Sequence, residues 1–199
     1  MSSKLLVSFS GAQSTGKTTL LKRLRKSNWN INFVPEVTRL IKREYGVDIN
    51  EAGNEMTQSL IITEHFKNLH NHNKQSRSSI LDRCLIDGVV YTSYLTNHCN
   101  LEEWCLEHAL YVFKRYVSQY DVIFYTDPAD VKLEDDGERS IDVGFRDEII
   151  YGFDSWMLAA QSASYFNSDN IVVLSGTVDE RLQTIKNTLV EKGLDINIK

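Results

Sequence analysis

The run Gly11-Ala12-Gln13-Ser14-Thr15-Gly16-Lys17-Thr18 constrains this 199-residue chain more than any other feature. It is a full G-x-x-x-x-G-K-S/T pattern, set between the apolar run Leu5 to Ser10 and a helical pattern from Lys17 to Lys26. A strand that turns through glycines into a helix aims several backbone N–H groups, and the positive end of the helix dipole, at one point. A triphosphate suits that point. Gly11, Ser14, Thr15, Gly16 and Thr19 would wrap it, Lys17 would reach the β- and γ-phosphates, and the Thr18 hydroxyl would ligate Mg²⁺. A chance match in a turn of small residues is the alternative, and the order strand, motif, helix argues against it. A bound nucleoside triphosphate with Mg²⁺ is therefore expected, with water or a small acceptor taking the γ-phosphate.

Five short apolar runs punctuate the chain: Leu5 to Ser10, Ile31 to Val34, Ser79 to Leu81, Val122 to Thr126 and Ile171 to Leu174. Apart from Ser8 and Ser10 in the first, they are not broken by polar alternation, which suits strands covered on both faces. Helical patterns lie between them, over Lys17 to Lys26, Asn54 to His72, Gly88 to Thr96, Leu101 to Gln119, Phe145 to Phe166 and Val178 to Lys192. Strands alternating with helices predict a five-stranded, mainly parallel sheet in a three-layer α/β/α fold of the P-loop NTPase class. The length suits one domain, 1–199. A net charge of −5 argues against coating a nucleic-acid backbone. No apolar stretch approaches the roughly 20 residues of a membrane span, and no signal peptide is expected. The three cysteines form no paired framework, so reduced thiols and a cytoplasmic location are expected.

Ligands of such sheets sit outside the carboxyl ends of the strands, and that is where the polar clusters fall. Glu36 follows the second strand behind Pro35, placed to accept a proton from a substrate hydroxyl or to hold a sugar. Arg39, three residues on, shares its face on a helical turn. Asp82 and Arg83 close the third strand, Asp82 as an acid for Mg²⁺ and Arg83 as a fork of donors for phosphoryl oxygens. Asp87 has two readings, a substrate contact or an acid in the first turn of a helix beginning near Gly88. Beyond the fourth strand, an acidic, glycine-containing stretch carries Arg139 and leads to Arg146. A lid over about 128–146 that closes on phosphates is expected there. Ser175-Gly176-Thr177 either passes the nucleotide base or simply turns and caps the last helix.

Other polar groups carry less. His65, His70 and His72 fall in a polar helix, and His98, Cys99 and Cys105 lack a second pair at zinc spacing. Tyr91, Tyr94, Trp104 and Tyr111 could stack on a base or pyridine ring, but aromatics at helical spacing are more often core. Lys22, Arg23, Arg25 and Lys26 read as a solvated helix face.

Four pieces in order, GAQSTGKTTL, the Glu-x-x-Arg of PEVTR, an Asp at the third strand end, and YDVIFYTDP followed by DDGERS, resemble the NadR-like family of ribosylnicotinamide-kinase-type ATP-binding domains. The resemblance runs from about residue 5 to residue 177. It implies a P-loop kinase fold, ATP as donor, and transfer to a nucleoside-type hydroxyl. The Asp82-Arg83 pair is closer to deoxynucleoside and thymidylate kinases, whose pattern assigns the base to Glu36, Mg²⁺ to Asp82 and phosphates to Arg83. No adenylyltransferase or DNA-binding segment accompanies these pieces, so regulatory roles are not expected to follow.

The expected activity is thus an ATP-dependent small-molecule kinase with Lys17, Glu36, Asp82, Arg83 and Arg139 as catalytic groups. Gly11, Ser14, Thr15, Gly16, Lys17, Thr18, Thr19 and Arg146 would hold ATP, Glu36, Arg39 and Asp87 the acceptor, and Thr18 and Asp82 the metal. The partner is a small nucleoside-type molecule, with no nucleic acid and no membrane. Two rivals are a nucleoside monophosphate kinase, with Arg39 on the acceptor phosphate, and a regulatory ATPase acting through a protein partner.

Overall fold

Side chains along each strand alternate between two hydrophobic layers, as the period of two demands. Val7, Phe9, Ile80, Val122, Phe124 and Leu174 point to one face, where Leu20 and Leu24 of helix α1 (Lys17–Arg25) and Leu182, Ile185 and Leu189 of α7 (Val178–Glu191) cover them. Leu6, Leu81, Ile123 and Tyr125 point to the other. That face is covered from α3 (Glu55–Lys74), α4 (Leu85–His98), α5 (Glu103–Tyr116) and α6 (Val143–Gln161). The computed structural model describes residues 4–26, 28, 30–99, 101–129, 142–161 and 167–197.

The sheet has five strands, β1 (Leu6–Ser10), β2 (Asn32–Val34), β3 (Ser79–Asp82), β4 (Val122–Thr126) and β5 (Ile171–Leu174), in the order β2-β3-β1-β4-β5. All four pairings are parallel. Strand β1 is central, with Val7 level with Ile80 on one side and Val122 on the other. The five carboxyl ends therefore share one edge, and the segments after Ser10, Val34, Asp82, Thr126 and Leu174 meet there.

The expected three-layer α/β fold and five strands are present. Helix boundaries differ where capping decides them. Helix α4 begins at Leu85, ahead of Gly88, because the Asp87 carboxylate accepts the Cys84 N–H at 3.0 Å and closes the first turn. Asn54 caps α3 through a reciprocal pair with Thr57. Thr177, in a capping box with Glu180, starts α7. Helix α2 (Val37–Tyr45) is an element the apolar pattern did not announce. It buries only Val37 and Ile41, against Ile61 of α3, too short a stripe to stand out as a period. The three cysteines are free thiols. Among the described residues no helix is long and apolar enough to cross a membrane.

Phe124 sits fully buried at the middle of the sheet with its ring 5.2 Å from that of Phe9. Phe124→Ala should cost about 3–5 kcal/mol. Val173→Ala, on the edge strand with Val173 half exposed, should change stability by no more than about 0.5 kcal/mol. Equal denaturation midpoints for the two variants would contradict this packing.

Candidate active site

The phosphate loop leaves β1 at Gly11, whose φ of 130° and surroundings both require glycine. A Cβ there would lie 2.7 Å from Thr126 Oγ1 and 3.0 Å from the Thr126 carbonyl oxygen. Ser14 (φ 56°) and Gly16 (φ 89°) complete the left-handed curl. The loop is tied down from below. Thr126 Oγ1 lies 2.6 Å from Thr15 Oγ1 and donates to the Ser10 carbonyl. Arg181 of α7, only 2% exposed, donates to the carbonyls of Thr15 (2.9 Å), Gly176 (2.9 Å) and Asp127 (3.1 Å). One guanidinium thus joins the phosphate loop to the segments after β4 and β5. Nothing in the local sequence around Arg181 announces this, since its partners are backbone carbonyls, two of them distant in the chain.

Lys17 is buried at the loop's centre. Its Nζ donates to the carbonyls of Gly11 (2.7 Å) and Ala12 (2.5 Å) and to Thr15 Oγ1 (3.1 Å). Burial first, and then the Arg83 charge, push its ammonium down to about 7. A triphosphate in the loop would supply the negative charge that restores it. Thr18 is half-buried on the first turn of α1, and Thr19 beside it is exposed.

Glu36, the residue before α2, is nearly buried and faces the neighbouring strand end. Arg83 Nε donates to its Oε1 at 2.6 Å, Arg39 Nε to its Oε2 at 2.9 Å, and Thr38 Oγ1 to its Oε1 at 3.0 Å. Burial raises the carboxyl, but Arg83 and Arg39 outweigh it and hold Glu36 well below the usual carboxylate range. Arg39 shares the Glu36 face, as the three-residue spacing predicts.

Arg83 occupies the middle. Its backbone is left-handed at φ 77°, an uncommon conformation for a non-glycine residue, and its N–H donates to the Phe9 carbonyl. Nη1 donates to Asp87 Oδ1 (3.0 Å) and approaches the Gly11 carbonyl (3.4 Å), and the guanidinium lies over the Tyr91 ring at 5.2 Å. Asp87 is 2% exposed. Its Oδ2 accepts from Ser10 Oγ and the Cys84 N–H. Both readings of Asp87 therefore remain in play geometrically: it caps α4 and it lines a cleft. Tyr91 extends the network to the phosphate loop, its hydroxyl donating to Gln13 Oε1 at 3.0 Å.

Two hollows flank this network. One, of about 200 Å³, lies between α1 and β2 and includes Thr18, Lys22, Arg25, Glu36, Arg39 and Asp82. Burial, and then the Glu36 charge, raise Asp82 to about 6. Thr18 and Asp82 opening on one hollow is a donor set that fits Mg²⁺, which takes one or two protein oxygens and completes its shell with water and phosphate. The other hollow, a narrow cleft between α2, α3 and α4, is lined by Gln58, His65, Arg83, Asp87 and Tyr91. The sequence read His65 as part of a polar helix and Tyr91 as core, because neither spacing nor composition shows which helix faces meet at a cleft.

Arg146 is half-buried on the first turn of α6. Its neighbour Phe145 packs on Tyr91 (6.0 Å between rings) and Tyr94 (4.8 Å). Arg139 and most of the expected lid lie outside the described residues. The segment after β5 turns at Gly176 (φ 81°) and caps α7.

The AAA_28 family, described as an AAA domain, matches residues 6–181. The chain belongs to that family. No curated protein matches it. Among solved structures, a crystal structure of NadR in complex with NAD and AMP-PNP is similar at a TM-score of 0.67 and 20% identity, over 98% of this chain and 51% of that one. NadR in complex with NR gives 0.65 and 20%, over 98% and 53%. Thymidylate kinase from Candida albicans gives 0.65 and 14%, over 98% and 97%. The chain thus spans about half the length of the NadR chains. It has a P-loop kinase-like fold of the NadR and thymidylate kinase type.

Arg181→Ala should leave three carbonyls without their donor. We expect a loss of about 1–3 kcal/mol in stability and at least tenfold weaker binding of an ATP analogue. Unchanged thermal unfolding and unchanged affinity would show that the loop does not depend on this strap.

Proposed function

We propose that this AAA_28-family chain is an ATP-dependent kinase that transfers the γ-phosphate to a nucleoside-type hydroxyl, that of ribosylnicotinamide or a related (deoxy)nucleoside. The observation that carries this reading is the Glu36–Arg83 pair beside the phosphate loop. Arg83 holds Glu36 at 2.6 Å while its other end reaches the Gly11 carbonyl at 3.4 Å. A rigid, ionised carboxylate joined to the phosphate loop through one guanidinium is suited to an acceptor hydroxyl.

In this reading ATP lies along residues 11–18, and Lys17 exchanges its carbonyl partners for phosphate oxygens. Glu36 accepts the hydrogen bond of the acceptor hydroxyl and orients it in line. With its carboxyl held so acidic, it takes the proton only late, which a loose phosphoryl-transfer transition state tolerates. Arg83 balances charge on the moving phosphoryl group, and Asp87 keeps Arg83 aimed. Arg39 contributes to holding the acceptor. Thr18 and Asp82 would hold Mg²⁺. When bound, such an ion neutralises phosphoryl oxygens. Arg139 and Arg146 would belong to a lid that excludes water.

A monophosphate acceptor is the second reading. Lys22, Arg25 and Arg39 open on the same hollow as Glu36, and three cations there would receive a second phosphate.

Transfer from labelled ATP to nicotinamide riboside, deoxynucleosides and their monophosphates tests the proposal. Nucleoside phosphorylation supports it. Phosphorylation of monophosphates alone selects the second reading, and Arg39→Ala should then raise the acceptor KM specifically. Steady hydrolysis indifferent to every acceptor would point to a regulatory ATPase. Lys17→Ala should lower turnover at least 100-fold, about 2.7 kcal/mol; full turnover would refute its role.

A pH profile gives a further check. Asp82 holds a cation only when ionised, and its carboxyl lies near 6. Activity at limiting Mg·ATP should therefore fall as pH drops through about 6, and fall again above about 7 as free Lys17 loses its proton. A profile level down to pH 5 would contradict the assignment of Asp82.

A further inference from the structure

Arg83 must keep a fixed place relative to the phosphate loop if it is to meet a moving phosphoryl group. Its carboxylate partners do not secure that by themselves. Glu36 holds Nε and Asp87 holds Nη1, and neither residue belongs to the loop. Direct contact with the loop is one long approach, Nη1 to the Gly11 carbonyl at 3.4 Å. A second tie runs through Tyr91 of α4. Its hydroxyl donates to Gln13 Oε1 at 3.0 Å, and Arg83 Nη1 lies 3.4 Å from the same oxygen. The one hydroxyl hydrogen goes to Gln13, which leaves a lone pair toward the guanidinium. Gln13, Tyr91, Arg83 and Gly11 thus form a ring of contacts that begins and ends in the phosphate loop. Arg83 cannot shift against the loop without lengthening one of them.

Gln13 has little else to hold it. The residue is 4% exposed, and its Nε2 has no hydrogen-bond partner among the described residues, so the Tyr91 hydroxyl is what orients the amide. Burying an amide with one of its groups unpaired costs stability that an apolar side chain would not, which points away from a role in folding alone. The Tyr91 ring is fixed on its other sides. The Arg83 guanidinium lies over it at 5.2 Å, and Phe145, buried at the start of α6, meets it edge-on at 6.0 Å. Phe145 is in turn set edge-on to Tyr94 at 4.8 Å. A guanidinium over a fixed aromatic face loses freedom to tilt as well as to move.

We propose that Tyr91 is a positioning residue for phosphoryl transfer: its hydroxyl, anchored on Gln13, sets the distance and tilt of Arg83 relative to the phosphate loop. Tyr91 therefore acts on the transfer step, through Arg83, and not on affinity for ATP or acceptor. A misplacement of about 1 Å at a group of this kind can cost on the order of 100-fold in rate. The inference rests on the kinase reading above and deepens it.

The test is the single-turnover rate of transfer from ATP to whichever acceptor in the panel above the unsubstituted chain phosphorylates best, read beside the KM for each substrate. Tyr91→Phe keeps the ring under Arg83 and against Phe145 and removes only the hydroxyl. The transfer rate should fall about tenfold or more, with both KM values changed by less than about twofold. Gln13→Leu breaks the same bond from the loop side, so it should slow transfer to a similar extent and guards against a folding defect in the first variant. The double variant should be no more than about twofold slower than the slower single one, because one bond is lost in all three. In an Arg83→Lys background, where the guanidinium is already gone, Tyr91→Phe should slow transfer by less than about twofold. An unslowed Tyr91→Phe chain, losses confined to KM, or single losses that multiply in the double variant or in the Arg83→Lys background would each overturn this inference while leaving the kinase reading intact. Transfer to no acceptor by the unsubstituted chain would overturn the kinase reading, and this inference with it.

Discussion

The Arg83 guanidinium, buried between Glu36 and Asp87, is the contact on which the site depends. It ties the end of β2 to the end of β3 and to the first turn of α4, and it touches the phosphate loop through the Gly11 carbonyl. Each partner is itself held: Glu36 by Arg39 and Thr38, Asp87 by Ser10 and the Cys84 N–H. A buried ion pair of this kind adds little net stability over an apolar replacement. Removing one member leaves a charge stranded, at a cost of about 3–5 kcal/mol. The network is therefore cooperative, and the left-handed backbone at Arg83 is a strain that its partners sustain.

On the other side of the loop, Arg181 and Thr126 do by backbone contacts what Arg83 does by charge. Arg181 has carbonyls where Arg83 has carboxylates. The phosphate loop is thus clamped between a guanidinium on carboxylates facing the β2 side and a guanidinium on carbonyls facing β4 and β5. Lys17 sits between them with its ammonium on loop carbonyls. These contacts are of the kind a phosphate would displace, so nucleotide binding exchanges partners within a shape already formed, and little reorganisation is required.

Much of this was legible in the sequence. The glycine pattern after an apolar run located the phosphate loop, and buried apolar runs separated by helical patterns gave the sheet. The spacing of Glu36 and Arg39 put them on one face, where they are found. Three features were not legible, each for a physical reason. Helix α2 buries two apolar residues, and no period can be read from two. Arg181 bonds to carbonyls, groups every residue has, so no residue type marks its partners. His65 is buried where two helix faces meet and Gly88 brings no side chain against its ring, facts of tertiary packing. Asp87 shows the limit at its clearest: the sequence offered a substrate contact or a first-turn acid, and the carboxylate caps α4 while also holding Arg83, a partner the spacing did not point to.

The most direct test of the account is a crystal structure of the chain with Mg²⁺ and AMP-PNP. The triphosphate should lie along residues 11–18 within hydrogen-bond distance of their amides, with Lys17 Nζ moved from the Gly11 and Ala12 carbonyls to the phosphates and Arg83 still paired with Glu36. A nucleotide bound elsewhere, with Lys17 keeping its carbonyl partners, would contradict it.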